Sequence, residues 1–438
     1  MRLLILVPLL VGTAAMAQGR PAGEVVEPGP EAIPLAGAVT FALQNSPRLR
    51  SARAGIERAR GEEQAAFAPF LPQVGLQFQS GATSDNEGPG ITGPTGFLLT
   101  SGTGTHGYAE TELQLQWTVY DFGRRAGRRN QAAARARIAE LQLARAQQTV
   151  RFEVTAAYLN ILLARSSLVV QEEAIRQAEA ILKDARAHLV GGVADPNDVL
   201  RAEVQLSESR DAAVTAREAE LVAMAQLNNV MGRDSALPLR VLDVELPPSE
   251  RAPLLAESLE FAAAHRPEAG FGRQAVVAAR EGVATAKADF LPRIVVRAST
   301  ARVDGAHVMT GWQLGAGLHL EVPLYTGGRL SGELHTAEAE VAAAVADQQV
   351  LLDAISLEVN RAFQSVLGAG QRMDLSRPAV VQAQENLRLV RVKYRNGDAS
   401  PTDIVDAETA LTRSRQRLNS AVYTYLVALA RLDYAAGR

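Results

Sequence analysis

The residues best placed to do chemistry sit in two turns of one pattern, LVGGVADPNDVLRAEVQL at 189–206 and YRNGDASPTDIVDAETAL at 394–411. Each has glycine and a proline with carboxylates on both sides of it: Asp195 and Asp198 about Pro196 in the first, and Asp398, Asp403 and Asp406 about Pro401 in the second. Ser400-Pro401-Thr402-Asp403 is a helix-start signature, with a capping hydroxyl, proline at the first helical position and an acid at the third. Asp195-Pro196-Asn197-Asp198 repeats it. The helix dipole favours an acid there by about 0.3–1 kcal/mol, so Asp198 and Asp403 read equally as caps or as charges presented outward. Asp406, one turn further in, is less easily read as a cap.

Other chemistry is hard to assemble. The six histidines (106, 188, 265, 307, 319 and 335) form no HExxH pair and no metal-ligand spacing. Gly102-Thr-Gly104-Thr-His-Gly107 spells GxGxxG, but no βαβ unit surrounds it and a strand, not a helix, should follow. There is no GxxxxGK[ST], so any ATP or proton energy belongs to a partner. No nucleophile–base arrangement is legible. The expectation is no enzyme, no cofactor and no metal. A net charge of −3, from 45 Lys+Arg and 48 Asp+Glu, argues against nucleic acid. Without cysteine the chain has neither disulfides nor a lipidated N-terminal thiol.

The two turns belong to two copies of one unit. AGAVTFALQNSP, ending at Pro47, returns as AESLEFAAAHRP, ending at Pro267, and FLP at 70–72 returns at 290–292, both at an offset of 220. Later the offset is 205: Tyr120 matches Tyr325, Gly192 matches Gly397, and Gly232-Arg233 matches Gly437-Arg438. Such a long period means two equivalent halves, not a solenoid. Residues 1–17, with Arg2, an apolar run and Ala15-Met16-Ala17, read as a signal peptide, and 18–34 as an extended leader. The first repeat is then 35–240 and the second 241–438. No later stretch reads as a span of about 20 apolar residues.

Each copy needs long helices to hold its turn. Val154, Ile161, Leu168, Ile175, Leu182 and Leu189 are apolar at intervals of seven, as are Val359, Val366, Met373, Val380, Leu387 and Tyr394. A sustained heptad means helices wound against neighbours. Small residues at Ala157, Ala164, Ala178 and Ala185 allow close approach. The long helices should cover about 127–188 and 332–393, the second kinked at Pro378. Helices near 198–230 and 403–435 follow, and shorter ones near 36–70 and 255–289 open each copy.

Between the helices the period changes to two. Leu113, Leu115, Trp117 and Val119 oppose Glu112, Gln114, Gln116 and Thr118. Trp312, Leu314, Ala316, Leu318, Leu320 and Val322 oppose Gln313, His319 and Glu321. Val74, Leu76 and Phe78 continue the stripe, as do Ile294, Val296 and Ala298. Strands are expected at about 73–80, 109–119, 293–301 and 311–322, with 80–107 as a long exposed loop. Strands of about ten residues, apolar outside and polar inside, fit a membrane β-barrel. A half-buried soluble hairpin is the plainer reading. Four strands cannot close a barrel, and lipid tolerates no open edge, so membrane insertion requires several chains.

The signal peptide, the duplicated helix–hairpin–helix–helix, FLP before the strands and Y[DT][FG]GR after them together resemble the TolC family of outer-membrane efflux proteins. The resemblance implies a mainly α fold and a homotrimer whose twelve-stranded β-barrel is continued by a coiled-coil periplasmic tunnel. It implies an exit duct in the outer membrane, docked to a periplasmic adaptor and an inner-membrane RND or ABC transporter. In that pattern Asp403 and Asp406 match the aspartates ringing the aperture, and Asp198 and Tyr394 match its gating network. Adaptor contacts would fall on Gly191, Gly192, Val193, Asp195, Asn197, Gly397, Asp398, Ser400 and Thr402. Ala399 stands where the best-known member has arginine, which removes any Tyr–Arg–Asp latch. The outer component of a type I protein secretion system is the alternative within transport. A coiled-coil surface adhesin is the remote one, disfavoured because strands recur inside each copy and the chain ends on a helix.

Overall fold

The computed structural model describes residues 32–86, 103–191, 195–244, 254–305, 311–396 and 398–438. The segment expected to be a signal peptide, residues 18–31 of the expected leader, and residues 87–102 of the expected loop lie outside these; 80–86 and 103–107, expected as loop, are strand. Its elements are α1 (Leu35–Asn45), α2 (Pro47–Phe67), β1 (Gln73–Asn86), β2 (Thr103–Tyr120), α3 (Arg124–Val190) and α4 (Pro196–Met231). The same order returns as α5 (Leu255–His265), α6 (Pro267–Ala288), β3 (Arg293–Gly305), β4 (Gly311–Glu321), α7 (Arg329–Arg395) and α8 (Pro401–Ala436). The fold is mostly helical.

Two expectations need correction. The opening helices are not continuous over 36–70 and 255–289, because each breaks before a proline. Ser46 (ψ 127°) and Arg266 (ψ 130°) are held extended, and Pro47 and Pro267 start the next helix. Proline lacks an N–H and crowds the residue before it out of the helical region, so the break was written in the sequence. In addition, α3 does contain an 18-residue window apolar enough to cross a membrane, with mean hydropathy 1.3. That window is 44% buried within the chain, and α3 contributes Val150, Val154, Tyr158 and Ile161 to the main core cluster. Pro378 removes one backbone bond but does not end α7, which runs unbroken for 67 residues.

The heptad positions pack as their spacing requires. Val154 and Ile161 join Tyr158, Leu162, Leu49, Leu227, Met231 and Leu426 in the largest buried cluster, and Val359 and Val366 join Ile355 and Leu432 in a second. The Tyr158 hydroxyl lies 2.9 Å from the Ile33 carbonyl and 2.6 Å from that of Leu242. It thus ties down the Ile33–Val241 bridge beside the core.

The four strands form one antiparallel sheet, β1-β2-β3-β4. The ladders run past the alternating segments, with β1 paired to β2 as far as Asn86 opposite Thr103. Pairings Leu76–Leu113, Trp117–Val296, Val296–Leu318 and Ile294–Leu320 put apolar side chains on one face. Pairings Gln77–Glu112, Gln114–Ser299, Gln116–Arg297 and Arg293–Glu321 put polar ones on the other. The apolar face is open: Leu314 is 84% exposed and Leu76 72%.

The Y[DT][FG]GR motif is the elbow between strand and helix. Phe122 (φ 53°) and Gly123 (φ 97°) both take left-handed backbone, as do Gly327 (φ 61°) and Gly328 (φ 85°) in the second copy. Only glycine does so without strain. Asp121 accepts from the Arg125 backbone N–H (3.0 Å) and Nε (2.8 Å). The Arg125 guanidinium also donates to the carbonyls of Pro69, Thr118 and Val119, fastening the FLP turn to the strand end. Trp117 Nε1 donates to the Phe70 carbonyl at 3.0 Å.

Gly232 ends α4 at φ 78°, where a Cβ would lie 2.9 Å from Pro47 Cδ and 3.0 Å from the Asn45 carbonyl oxygen. Gly232→Ala is expected to cost about 2 kcal/mol, from the left-handed penalty plus the clash. The unfolding midpoint in urea reads this directly, and an unchanged midpoint would refute it.

Candidate functional site at the helical tips

Both tips are built by capping. Asp195 Oδ1 accepts from the Asn197 N–H at 2.9 Å and starts α4. At α8 the capping box is complete: Ser400 Oγ accepts from the Asp403 N–H (3.2 Å), and Asp403 Oδ2 accepts from the Ser400 N–H and hydroxyl (2.8 Å each). These bonds, the backbone one foremost, hold the exposed Asp403 carboxyl below its ordinary range. The stabilisation from the carboxylate half of the box is therefore fully present above that range and is lost as pH falls through the lowered value, while the Ser400 half does not titrate.

Asp403 and Asp406 both sit on the exposed face of α8, while Ile404, Ala407 and Leu411 are buried. Asp406 has no side-chain partner among the described residues, so nothing local accounts for its charge. Asp198 is half-buried in the first turn of α4. Gly191, Asp195, Asn197, Asp398 and Ser400 are exposed. Thr402 Oγ1 accepts from Arg201 Nη1 at 2.8 Å, joining the two tips. Gly192, Val193 and Gly397 lie outside the described residues.

Tyr394 does not bond to Asp198. Its ring stacks on His188 (centroids 5.2 Å apart, planes 20° apart), and its hydroxyl is 3.1 Å from His188 Nδ1. Burial raises the Tyr394 pKa, and the carboxylates of Asp184 and Asp198 add to the shift, so the hydroxyl stays protonated. Further along the helices, Arg391 on α7 bonds both Gln177 on α3 and Glu408 on α8. Burial raises the Glu408 pKa against the pull of Arg391. Sequence reasoning missed His188, Gln177, Arg391 and Glu408. The signal for the last two was available, since Arg186 and Glu203 are their counterparts at an offset of 205 and form the same pair at 2.7 Å.

Among the described residues no group of His, Cys, Asp or Glu could hold a metal. The GxGxxG segment is strand from Thr103 onward, not a loop before a helix.

A sheet with one open apolar face, passing through tight elbows into paired helices of 67 and 36 residues with acidic tips, defines the architecture of outer-membrane channels. The sequence pattern of the outer membrane efflux protein family matches residues 39–233 and 259–438, and the chain belongs to that family. The likeness to TolC carried by the motifs is thereby established. Outer membrane efflux protein BepC of Brucella suis is 26% identical over 413 residues, covering 92% of this chain and 85% of that one. Proteases secretion protein PrtF of Dickeya chrysanthemi is 24% identical over 420 residues, covering 93% and 88%. The solved structure of the outer membrane protein VceC from Vibrio cholerae has a TM-score of 0.76 at 20% identity, covering 92% of this chain and 96% of that one.

Proposed function

We propose that this chain is the outer-membrane exit duct of a tripartite efflux pump. It passively conducts substrates delivered by an inner-membrane RND or ABC transporter and a periplasmic adaptor. The observation that carries this reading is the sheet. Its two faces separate apolar from polar residues through most of the sheet, with Val295 on the polar face of β3 as an exception, and among the described residues β1 and β4 have unpaired outer edges. Lipid tolerates neither open edges nor partial sheets, so three copies, as in the TolC pattern, join their strands into one twelve-stranded barrel. Strand polarity then puts lipid against Leu76, Trp117 and Leu318 and water against Gln114, Arg297 and His319. The helices cross the periplasm, and the tips carrying Asp195, Asp198, Asp403 and Asp406 meet the adaptor. The barrel, the trimer and the tip roles all belong to this proposal, as do the signal peptide and repeat boundaries.

Asp403 and Asp406, tripled around one axis, make a ring of carboxylates that attracts cations. The double variant Asp403→Ala, Asp406→Ala is expected to lose block by trivalent cations in planar bilayers. Undiminished block removes the aperture role and leaves Asp403 as a cap. A second reading, the outer component of a type I secretion system, is favoured by PrtF, a relative named for protease secretion. Co-purification of the membrane-extracted protein with its adaptor and transporter separates the two. An RND pump supports efflux, an ABC exporter with a secreted protein supports secretion, and a detergent-independent monomer refutes both.

A further inference from the structure

Strand register sorts the apolar side of the sheet into levels. Tyr120, Ile294 and Leu320 stand level at the elbow, and Trp117, Val296 and Leu318 come next. Val74, Leu115, Ala298 and Ala316 follow, then Leu76, Leu113, Thr300 and Leu314. The fifth level is Phe78, Thr111, Arg302 and Trp312. Among the described residues Arg302 is the single cation at positions on this side of the four strands. No charge occurs at any level beneath it, and the next charged position on this side is Asp304, two residues further along β3.

Arg302 is exposed, and its guanidinium carbon lies 5.8 Å from the centre of the exposed Trp312 ring. That distance is within cation–π range, and indole is the strongest partner for it. The level also fits a lipid headgroup. Leu320 and Trp312 are eight residues apart on β4, about 27 Å along a strand and about 20 Å of membrane depth at a tilt of about 40°. The elbow end is aromatic too, with the exposed rings of Tyr120 and Phe122 4.7 Å apart. Two aromatic levels thus bracket an apolar band close to the height of about 25 Å that a barrel presents to lipid. Inside the band an arginine is costly, but at its edge the guanidinium reaches the headgroups. The planar fork of arginine matches phosphate oxygens in pairs. Thr111, exposed and opposite Arg302 on β2, adds a hydroxyl at the same level.

We propose that Arg302 and Trp312 hold the phosphate of a lipid in the outward-facing leaflet, one lipid per protomer. The helices leave the sheet at the elbow, so the Trp312 level lies at the end away from the periplasm. The lipid of that leaflet in an outer membrane is a phosphorylated glycolipid. The guanidinium donates to the phosphate oxygens, and the indole face limits where the guanidinium swings. The levels beneath, Leu314 among them, meet the acyl chains. Charge complementarity at the rim and continuity with the apolar face both select a lipid over a protein partner. This inference rests on the barrel proposed above and names what its outer rim binds.

Native mass spectrometry of the detergent-extracted trimer with added lipid A, a bisphosphorylated glycolipid, tests this. Lipid adducts are expected on the unsubstituted protein, with binding about tenfold weaker for Arg302→Gln. Lipid A stripped of its phosphates should bind the unsubstituted protein equally poorly, an arm that needs no variant to fold. Arg302→Lys should fall between, because an ammonium keeps the charge without the fork. Trp312→Leu, which keeps an apolar side chain without the ring, should also weaken the adducts. Arg129→Gln is the control for general surface charge: its guanidinium sits 5.2 Å over Phe67 at the elbow end, and lipid A binding should not change. In an intact trimer, equal binding with and without phosphate, or equal weakening by Arg129→Gln and Arg302→Gln, overturns the lipid site and leaves the duct standing. An unsubstituted protein that is monomeric in detergent overturns both.

Discussion

Replacing Arg266 by alanine is expected to destabilise the protein by about 3–5 kcal/mol, the cost of stranding buried charges. Arg266 is 3% exposed. It donates to Glu268 at 2.7 Å, to Glu358 at 2.6 Å and to the Ala435 carbonyl at 3.1 Å. Burial alone would pull its pKa down, but the two carboxylates outweigh burial and hold it above its ordinary value. Arg145 closes the network, 2.5 Å from Glu268 and 3.7 Å above the Tyr434 ring. The network therefore joins α3 of the first copy to α6, α7 and α8 of the second. Arg266→Lys keeps the charge but loses the fork that reaches both acids and the carbonyl, so its loss should be intermediate. Urea unfolding of both variants measures this. A change below about 1 kcal/mol for alanine would mean that Arg145 suffices to neutralise both acids.

Leu318→Arg is expected to cost about 2–4 kcal/mol and to deplete the protein from the outer-membrane fraction, the penalty for a cation on the lipid face of a barrel. Leu318 is paired with Val296 and 69% exposed in the chain alone, within a band that includes Leu314 and Leu320. Gln313→Arg, on the other face of the same strand, should be tolerated because that face meets water in the proposed barrel. The comparison isolates the sidedness of the sheet from the general cost of substitution. Equal tolerance of the two variants would show that no lipid contacts this face.

The sequence made the duplication, the heptad seams and the alternating strands legible because each is a local period, visible without knowing what packs where. The capping roles of Ser400 and Asp403 were legible for the same reason, since a cap reaches only three residues. Contacts between copies were not. Nothing in the spacing says that Tyr394 stacks on His188, that Arg391 reaches Gln177, or that Tyr158 bridges two carbonyls. Those depend on which helices become neighbours. The break at Ser46–Pro47 was legible in principle but was overridden by the apolar pattern running through it. Asp406 is the reverse case: its position on the outer face of α8 was readable, and the structure adds no partner that would explain it away.

The two long helices have the same number of residues, 67 in each copy, and so do the two shorter ones, 36 in each. At 1.5 Å of rise per residue each long helix reaches about 100 Å, so both legs of the protomer stop level. The chain thus carries its span as a ruler written in duplicate. Lengthening one leg alone would lift one pair of tips away from whatever they meet, so a viable change in reach has to be entered in both copies at once. The hairpin between β1 and β2 is free of this bookkeeping, and there the copies have drifted apart in length.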